Sequence, residues 1–533
     1  MFFGSPGSQI EIDRADSTWT WRDPRTIDSP RQSLPSTVNA WPIPSGPQGI
    51  QANRSSRRWT SLKRDQPQGR DFEVSRRISA LIAAMRLEAF TLHSALLGTA
   101  TAAAAAFNSQ AQTQAQAIDR DVVILGGGAT GTYAAVQLRE QGHTVALVEQ
   151  KSRLGGHAET LFLPDGKYVN YGVEGYFNNE VTKDFFAQLD VDYEALLPAT
   201  LLTQHVNFRT GERALPGSEL LTTAAAALLY RGAIEQFDFL AAGVIDLPSE
   251  VPEILLRPFR EFVDEYALWG AVDLVFTFTE NVGNILDRPT LYVIQDFGIP
   301  HIDALLDGGY IRPKNGVTVL FDKAANYIDP QNIFYDSAAI DTTRSEDSVE
   351  VLIENSKTGS QTLIRAKRLL VAFPPVLDKL YGFDLSADES SLFAKWTYMN
   401  YYAAVLTNTP VPDNFNILNT DPSNQPGALP TTPFNWALEY SGVPGYFMNK
   451  IVGEANLTEA EARALVIDDV KRMSEAGTFK MEDGEEPTIA AFASHAPETL
   501  MVSTEDVAGA KEHVLYGVCV VHGLFDGVIV KGL

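Results

Sequence analysis

The chain has 533 residues, 45% of them hydrophobic, which is enough for two or three domains around a sizeable core. A formal net charge of −25 argues against a nucleic-acid partner and is what a solvated acidic surface carries. The eight histidines show no H-x-H or H-E-x-x-H spacing, so no metal site is expected, and the single cysteine, Cys519, excludes an intrachain disulfide.

Residues 1–84 are rich in Ser, Pro and Arg and have no sustained apolar period before Ile78, so they read as a disordered extension. The character changes at Met85. Met85-Arg86-Leu87 leads into an apolar stretch from Phe90 to Gly98 and then an alanine-rich run from Ala100 to Ala106. A basic start, an apolar middle and A-x-A-like sites are the parts of a secretory signal peptide. The expectation is therefore a translation start at Met85, with 1–84 an artefact of an over-extended reading frame and 85–117 a signal-like segment and linker. The product would then be secreted or enter the secretory pathway. The rival reading is a low-complexity linker with a chance alanine helix, since Glu88 and His93 interrupt the apolar stretch. On either reading the segment is too polar and too short to span a bilayer.

The most informative stretch runs from Asp121 to His157. An apolar β-run (Val122, Val123, Ile124, Leu125) opens it, and Gly126, Gly127, Gly128, Ala129, Thr130 and Gly131 follow. Gly126, Gly128 and Gly131 have G-x-G-x-x-G spacing. A helix with Ala134, Ala135 and Leu138 comes next, then Gly142, and a second β-run from Val145 to Val148 ends at Glu149. Each part has a physical job in dinucleotide binding. Gly126 permits the tight turn, Gly128 lets the backbone approach a pyrophosphate, and Gly131 lets helix and strand pack closely. The helix N-terminus presents unpaired N–H groups to the phosphates. Glu149 can accept both hydroxyls of an adenosine ribose and repels a 2′-phosphate, which argues against NADP.

Gln150, Lys151, Ser152, Arg153, Leu154, Gly155, Gly156 and His157 complete an E-x-x-x-R-x-G-G-H run. It resembles the E-x-x-x-R-x-G-G-R element of the FAD-dependent amine oxidase superfamily. There two glycines pass close to the pyrophosphate, and cations on either side neutralise it. His157 stands where the wider family has arginine. Together with GGGATGTYAA at Gly126 to Ala135, this is similar to the fungal β-cyclopiazonate dehydrogenase-like group. The resemblance implies FAD, held by Gly126 to Gly131, Glu149, Gln150, Arg153, Gly155, Gly156 and His157. For His157 an ordinary loop histidine stays open as an alternative.

Thr160 to Phe177 alternates around Pro164-Asp165-Gly166, a hairpin signature. The resemblance implies that the chain then passes the flavin ring, so Tyr171, Gly172, Val173 and Glu174 would line it. Strand packing is the competing reading of Tyr171 and Tyr176. Thr182 to Leu197 reads as a helix and closes a first FAD-binding part, 118–214. From 215 to 306 the sequence turns helical. One segment starts at Ser218-Glu219. Another starts at Ser249-Glu250 and runs through Phe259, Phe262, Val263, Tyr266 and Leu268. This looks like the helical cap of such enzymes, with its aromatic stripe read as core.

A second FAD-binding part spans 307–376, with a helix from Val317 to Tyr327 and a strand from Asn332 to Ile340. The resemblance implies that Ala339 lies against the adenine. Val349 to Ile353 with Leu363-Ile364 forms a hairpin. Ala366 to Pro375 resembles the family strand that re-enters the sheet under the cofactor. The substrate domain is expected at 377–494, with strands from Tyr398 to Thr407, Gly445 to Val452 and Thr488 to Ala493, and a helix from Thr458 to Ser474. The lysine that such enzymes place before the first of these strands has no counterpart, which leaves Asn400 and Tyr402 as pocket candidates. After Gly517 too few residues remain for the family's closing helix, so 495–533 reads as a truncated part of the FAD domain.

The fold class expected is α/β: an FAD-binding Rossmann-type, amine-oxidase-like domain with an inserted helical cap and a mixed-sheet substrate domain. The function expected is FAD-dependent oxidoreduction, with hydride passing from an amine-type or related activated C–H substrate to flavin N5. The partner is a small-molecule substrate, no stable membrane span is expected, and no oligomeric state follows. No residue stands out as a catalytic base. Two alternatives are an NAD-dependent dehydrogenase built on the same unit and an inactive flavoprotein relic that lacks the C-terminal element.

Overall fold

Val122–Leu125 and Val145–Val148 are unbroken apolar runs, the pattern of strands covered on both faces. In the computed structural model, which describes residues 116–197, 201–217, 221–242 and 247–509, they lie in strands β1 (Gln116–Leu125) and β2 (Val145–Val148). These pair in parallel, Val122 opposite Val145 through to Leu125 opposite Val148, across helix α1 (Ala129–Glu140). The expectations for 1–84, for nearly all of 85–117 and for the tail from 510 lie outside the described residues.

The sheet around β1 and β2 runs in the order 333–334, β2, β1, 361–371, 349–355, 337–344. Its first four strands are parallel and its last two form an antiparallel hairpin edge. The strand expected from Asn332 to Ile340 is broken in two. Asp336 has φ 53°, a left-handed turn that ends Ile333–Phe334 and redirects Ser337–Arg344 into the hairpin edge. The helix expected from Thr182 to Leu197 is also shorter, Glu180–Gln188. Asp190, at φ 54°, turns the chain, and Tyr193–Ala195 pairs as a strand with Tyr310–Pro313.

The described residues between 223 and 307 are largely helical, in several broken pieces. Thr222 caps Thr223–Ile234 by accepting from the Ala225 N–H. The single helix expected from Ser249 to Leu268 is instead Glu253–Leu256 and Phe259–Glu265. Pro258 is the cause, since it holds Arg257 in extended backbone with ψ 159°. The aromatic stripe packs inside: Phe259 and Phe262 are fully buried with ring centroids 5.9 Å apart.

A mixed eight-stranded sheet carries the order 202–206, 415–419, 437–440, 447–454, 397–407, 488–494. Strand 434–435 pairs with 447–454, and strand 498–501 with 397–407. Helix Glu459–Glu475 opens with a capping box between Thr458 and Glu461 and covers one face of this sheet. Asn400 and Tyr402, expected at a pocket, are structural ties instead. The Asn400 amide donates to the Ala455 and Leu457 carbonyls, and the Tyr402 hydroxyl donates to the Leu457 carbonyl.

Candidate functional site

The glycines of the β1–α1 turn divide by what surrounds them. Gly126 has φ +105°, and a Cβ there would stand 2.6 Å from the Ala372 carbonyl oxygen. At Gly131 a Cβ would stand 1.9 Å from the Gly126 carbonyl oxygen, so this residue seals α1 against the turn. Gly128 is different. Its nearest neighbour would be the Gly156 Cα at 3.9 Å, and it faces a cavity of about 330 Å³. It is also the N-cap of α1 and offers no side-chain cap, so the N–H groups of the first turn are left for a ligand. Gly126, Gly128 and Ala129 line the cavity, while Gly127, Thr130 and Gly131 lie behind them.

At the end of β2 the Glu149 carboxylate is buried. It accepts from the Gly127 N–H at 2.6 Å and from the Lys151 N–H at 2.7 Å. Burial pushes its pKa up, against those two hydrogen bonds. Each oxygen keeps further acceptor capacity toward the cavity that Glu149 and Gln150 line. Gly155, Gly156 and His157 continue the same wall. Arg153 does not reach it. Its guanidinium donates to Glu159 and to the Leu154 carbonyl, and the Tyr171 hydroxyl converges on the same carboxylate at 3.4 Å. Lys151 is a cation on this wall, 3.2 Å from Glu159 and 3.1 Å from the Gly156 carbonyl, and Lys379 also lines the cavity. Gly172 is a packing residue, since a Cβ there would stand 2.0 Å from the His157 carbonyl oxygen.

The remaining walls come from distant parts of the chain. Ala339, with Ser337 and Ala338, closes the end near Glu149, and Ala372 to Pro374 form the floor beside Gly126. Val173 and Phe177 continue from the hairpin region, and the far end is closed by Leu240, Phe278 and Pro300. Three acidic or amide side chains sit among these apolar groups: Gln295, Asp296 and Glu498. His157 Nδ1 is 3.3 Å from Glu498, and its ring stacks on His495 at 4.3 Å. His495 is buried, which holds its pKa well below the usual histidine value, as do the nearby His157, Lys151 and Arg153. Tyr401 stacks on His495 at 5.8 Å and donates to Glu280, which also accepts from Lys450 at 2.8 Å.

Sequence reasoning missed Lys151 as a wall cation, although it lies inside the fingerprint. It also missed Glu159, Gln295, Asp296 and Glu498, for which no local motif exists. No group of three metal-ligating side chains occurs among the described residues. A cavity with a wall of glycines at Gly126, Gly128, Gly155 and Gly156, uncapped helix N–H groups and a buried carboxylate at one end fits a dinucleotide laid from Glu149 across Gly128 toward His157.

Residues 124–189 match the family described as NAD(P)-binding Rossmann-like domain. The chain is 41% identical over 399 residues to the β-cyclopiazonate dehydrogenase of Aspergillus oryzae, a match covering 75% of this chain and 86% of that one. It is 30% identical to the FAD-dependent oxidoreductase pigF of Monascus ruber, covering 75% and 85%. Among solved structures, a fatty acid isomerase from P. acnes superposes with TM-score 0.56 at 17% identity, over 75% of this chain and 90% of that one. A putrescine oxidase bound to putrescine gives TM-score 0.50 at 18% identity, over 74% and 91%. These two likenesses concern the fold.

Proposed function

The chain belongs to the fungal FAD-dependent oxidoreductase family that includes β-cyclopiazonate dehydrogenase, and from that membership we propose that it oxidises a small amine-type or related activated C–H substrate with FAD. The observation that carries this reading is one continuous cavity whose two ends differ in chemistry. At one end are a wall of glycines, uncapped helix N–H groups and Glu149. At the other are apolar side chains with a few polar groups.

FAD, when bound, supplies the hydride acceptor at N5. The protein's part is binding, orientation and exclusion of water. Glu149 would accept the ribose hydroxyls, with its two backbone N–H partners fixing the carboxylate plane. The N–H groups of Ala129 and its neighbours, at the positive end of α1, would hold the pyrophosphate, with Lys151 adding charge on the same wall. Val173 and His157 would face the ring. Leu240, Phe278 and Pro300 would keep water from the reacting carbon.

The test is the visible absorption spectrum of the purified protein, with mass spectrometry of any cofactor released on denaturation. A flavin spectrum with FAD released supports the reading. A protein that stays colourless after FAD is added, or that releases NAD, refutes it.

A further inference from the structure

Glu159 lies just past the glycine-rich run, before the hairpin of Thr160–Phe162 and Tyr168–Asn170, and is only 6% exposed. Its one carboxylate answers two cations of that run. Oε1 accepts from Lys151 Nζ at 3.2 Å, and Oε2 accepts from the Arg153 guanidinium and from the Tyr171 hydroxyl at 3.4 Å. The hairpin fixes the residue from its own side. The Tyr171 N–H donates to the Glu159 carbonyl at 3.1 Å, and a Cβ at Gly172 would stand 3.1 Å from the Glu159 Cγ.

Lys151 is held at three points. Its backbone N–H donates to Glu149 at 2.7 Å, and its Nζ donates to the Gly156 carbonyl at 3.1 Å as well as to Glu159. An ammonium has three donors, so these two bonds leave one for the cavity that Lys151 lines. Gly156 is where the second glycine turn meets the first. A Cβ there would stand 2.9 Å from the Gly128 Cα, and the neighbouring Gly155 N–H donates to the Gly127 carbonyl at 2.8 Å. A chain of contacts therefore runs from Glu159 through Lys151 and Gly156 to Gly128, the N-cap of α1. A lysine without such partners spreads over many rotamers and brings little of its charge to any one point.

We propose that Glu159 is a positioning residue for the cofactor: it holds the Lys151 ammonium at the junction of Gly128 and Gly156, where the pyrophosphate of a dinucleotide would lie. The inference rests on reading this end of the cavity as a dinucleotide site.

Charge and position make opposite predictions for Glu159→Gln. Removing a carboxylate beside an anion site strengthens anion binding if nothing moves. The amide accepts through one oxygen only and turns an NH2 toward the second cation, so it cannot hold both. Lys151 then leaves the junction, and anion binding weakens instead.

Calorimetric titration of the flavin-stripped full chain with FAD and, separately, with ADP reads the sign. ADP carries the adenosine and the pyrophosphate without the flavin. Glu159→Gln binds both ligands about tenfold more weakly than wild type, the scale of one charge-assisted hydrogen bond. Lys151→Met alone reproduces the loss. In the Lys151→Met background, Glu159→Gln weakens binding no further, since no ammonium is left to place. Unchanged or tighter binding by Glu159→Gln overturns the proposal. So does an equal loss in both backgrounds, which is what a general loss of structure produces. Normal affinity in Lys151→Met overturns it as well, whether or not Glu159→Gln folds. The oxidoreductase reading fails separately. A wild type that binds ADP but not FAD refutes the flavin, and the role of Glu159 is then decided by the ADP titrations. A wild type that binds neither refutes both.

Discussion

At the scale of single residues, the turn glycines make opposite predictions although they share one motif. Gly128→Val should leave the fold intact, since a Cβ there meets nothing closer than 3.9 Å, yet remove bound FAD by filling the approach to the pyrophosphate. Gly131→Ala should damage the fold itself, because its Cβ would stand 1.9 Å from a backbone oxygen. Circular dichroism melts and flavin content on both variants check this. A Gly128→Val protein with normal flavin would remove Gly128 from the site. Glu149→Ala should weaken FAD binding by about 1–3 kcal/mol, the scale for losing a charge-assisted hydrogen bond. Fluorescence titration of the stripped protein with FAD measures it, and an unchanged dissociation constant places the ribose elsewhere. The spacing of these residues was readable because the work each does is local to one turn. The side chain of Arg153 was not, because its direction is decided by Glu159 and Tyr171, and those contacts depend on how the following hairpin folds back.

At the scale of elements, caps and turn residues decided where sequence reading succeeded. The helix begun by Thr458 carries its capping box in the sequence, and it was found within a residue at each end. The helix expected to reach Leu197 was not, because apolar spacing continues past Asp190 while the backbone does not. A strand's pairing with Tyr310–Pro313, over a hundred residues away, outweighed the local pattern there. Helix Ala387–Phe393 offers a test of how much one cap holds. Ser386 accepts from the Glu389 N–H, and the Glu389 carboxylate accepts from the Ser386 N–H at 2.7 Å. The same carboxylate takes two hydrogen bonds from Arg344, which, as the largest cause, holds its pKa down at about 2. A pKa depressed in the folded state means stability that is present above the unfolded value and lost as pH falls toward the folded one. Glu389→Gln should therefore cost about 1–2 kcal/mol at neutral pH, after allowance for solvent screening, with the gap from wild type closing between about pH 4.5 and 2. Urea unfolding across that range is the measurement. A gap that does not change with pH would mean that packing, not charge, is what the variant lost. Ser386→Ala should cost about 1 kcal/mol, with little dependence on pH above 5.

At the scale of the whole molecule, the cavity is made by segments that run from Leu125 to Thr499, and no single stretch supplies more than part of a wall. That is why the dinucleotide end was legible in the sequence and the other end was not. The first is one βαβ unit with its own grammar, whereas Gln295, Asp296 and Glu498 become neighbours only once a helix and the mixed sheet have packed. The same construction makes a ligand in the cavity a brace between distant segments. A cofactor that binds only the folded chain stabilises it by about 2.7 kcal/mol at a hundredfold excess over its dissociation constant. FAD should therefore raise the melting temperature of the stripped protein and slow hydrogen exchange of backbone amides at 126–131 and 155–158, and also at 337–339, 372–374 and 494–499. Gly128→Val should match the stripped wild type in stability and show none of that response. If exchange slows only at 126–158, the cofactor contacts the βαβ unit alone, and the remaining walls do not close on it. If it slows across all five segments, the bound cofactor joins them into one cooperative unit.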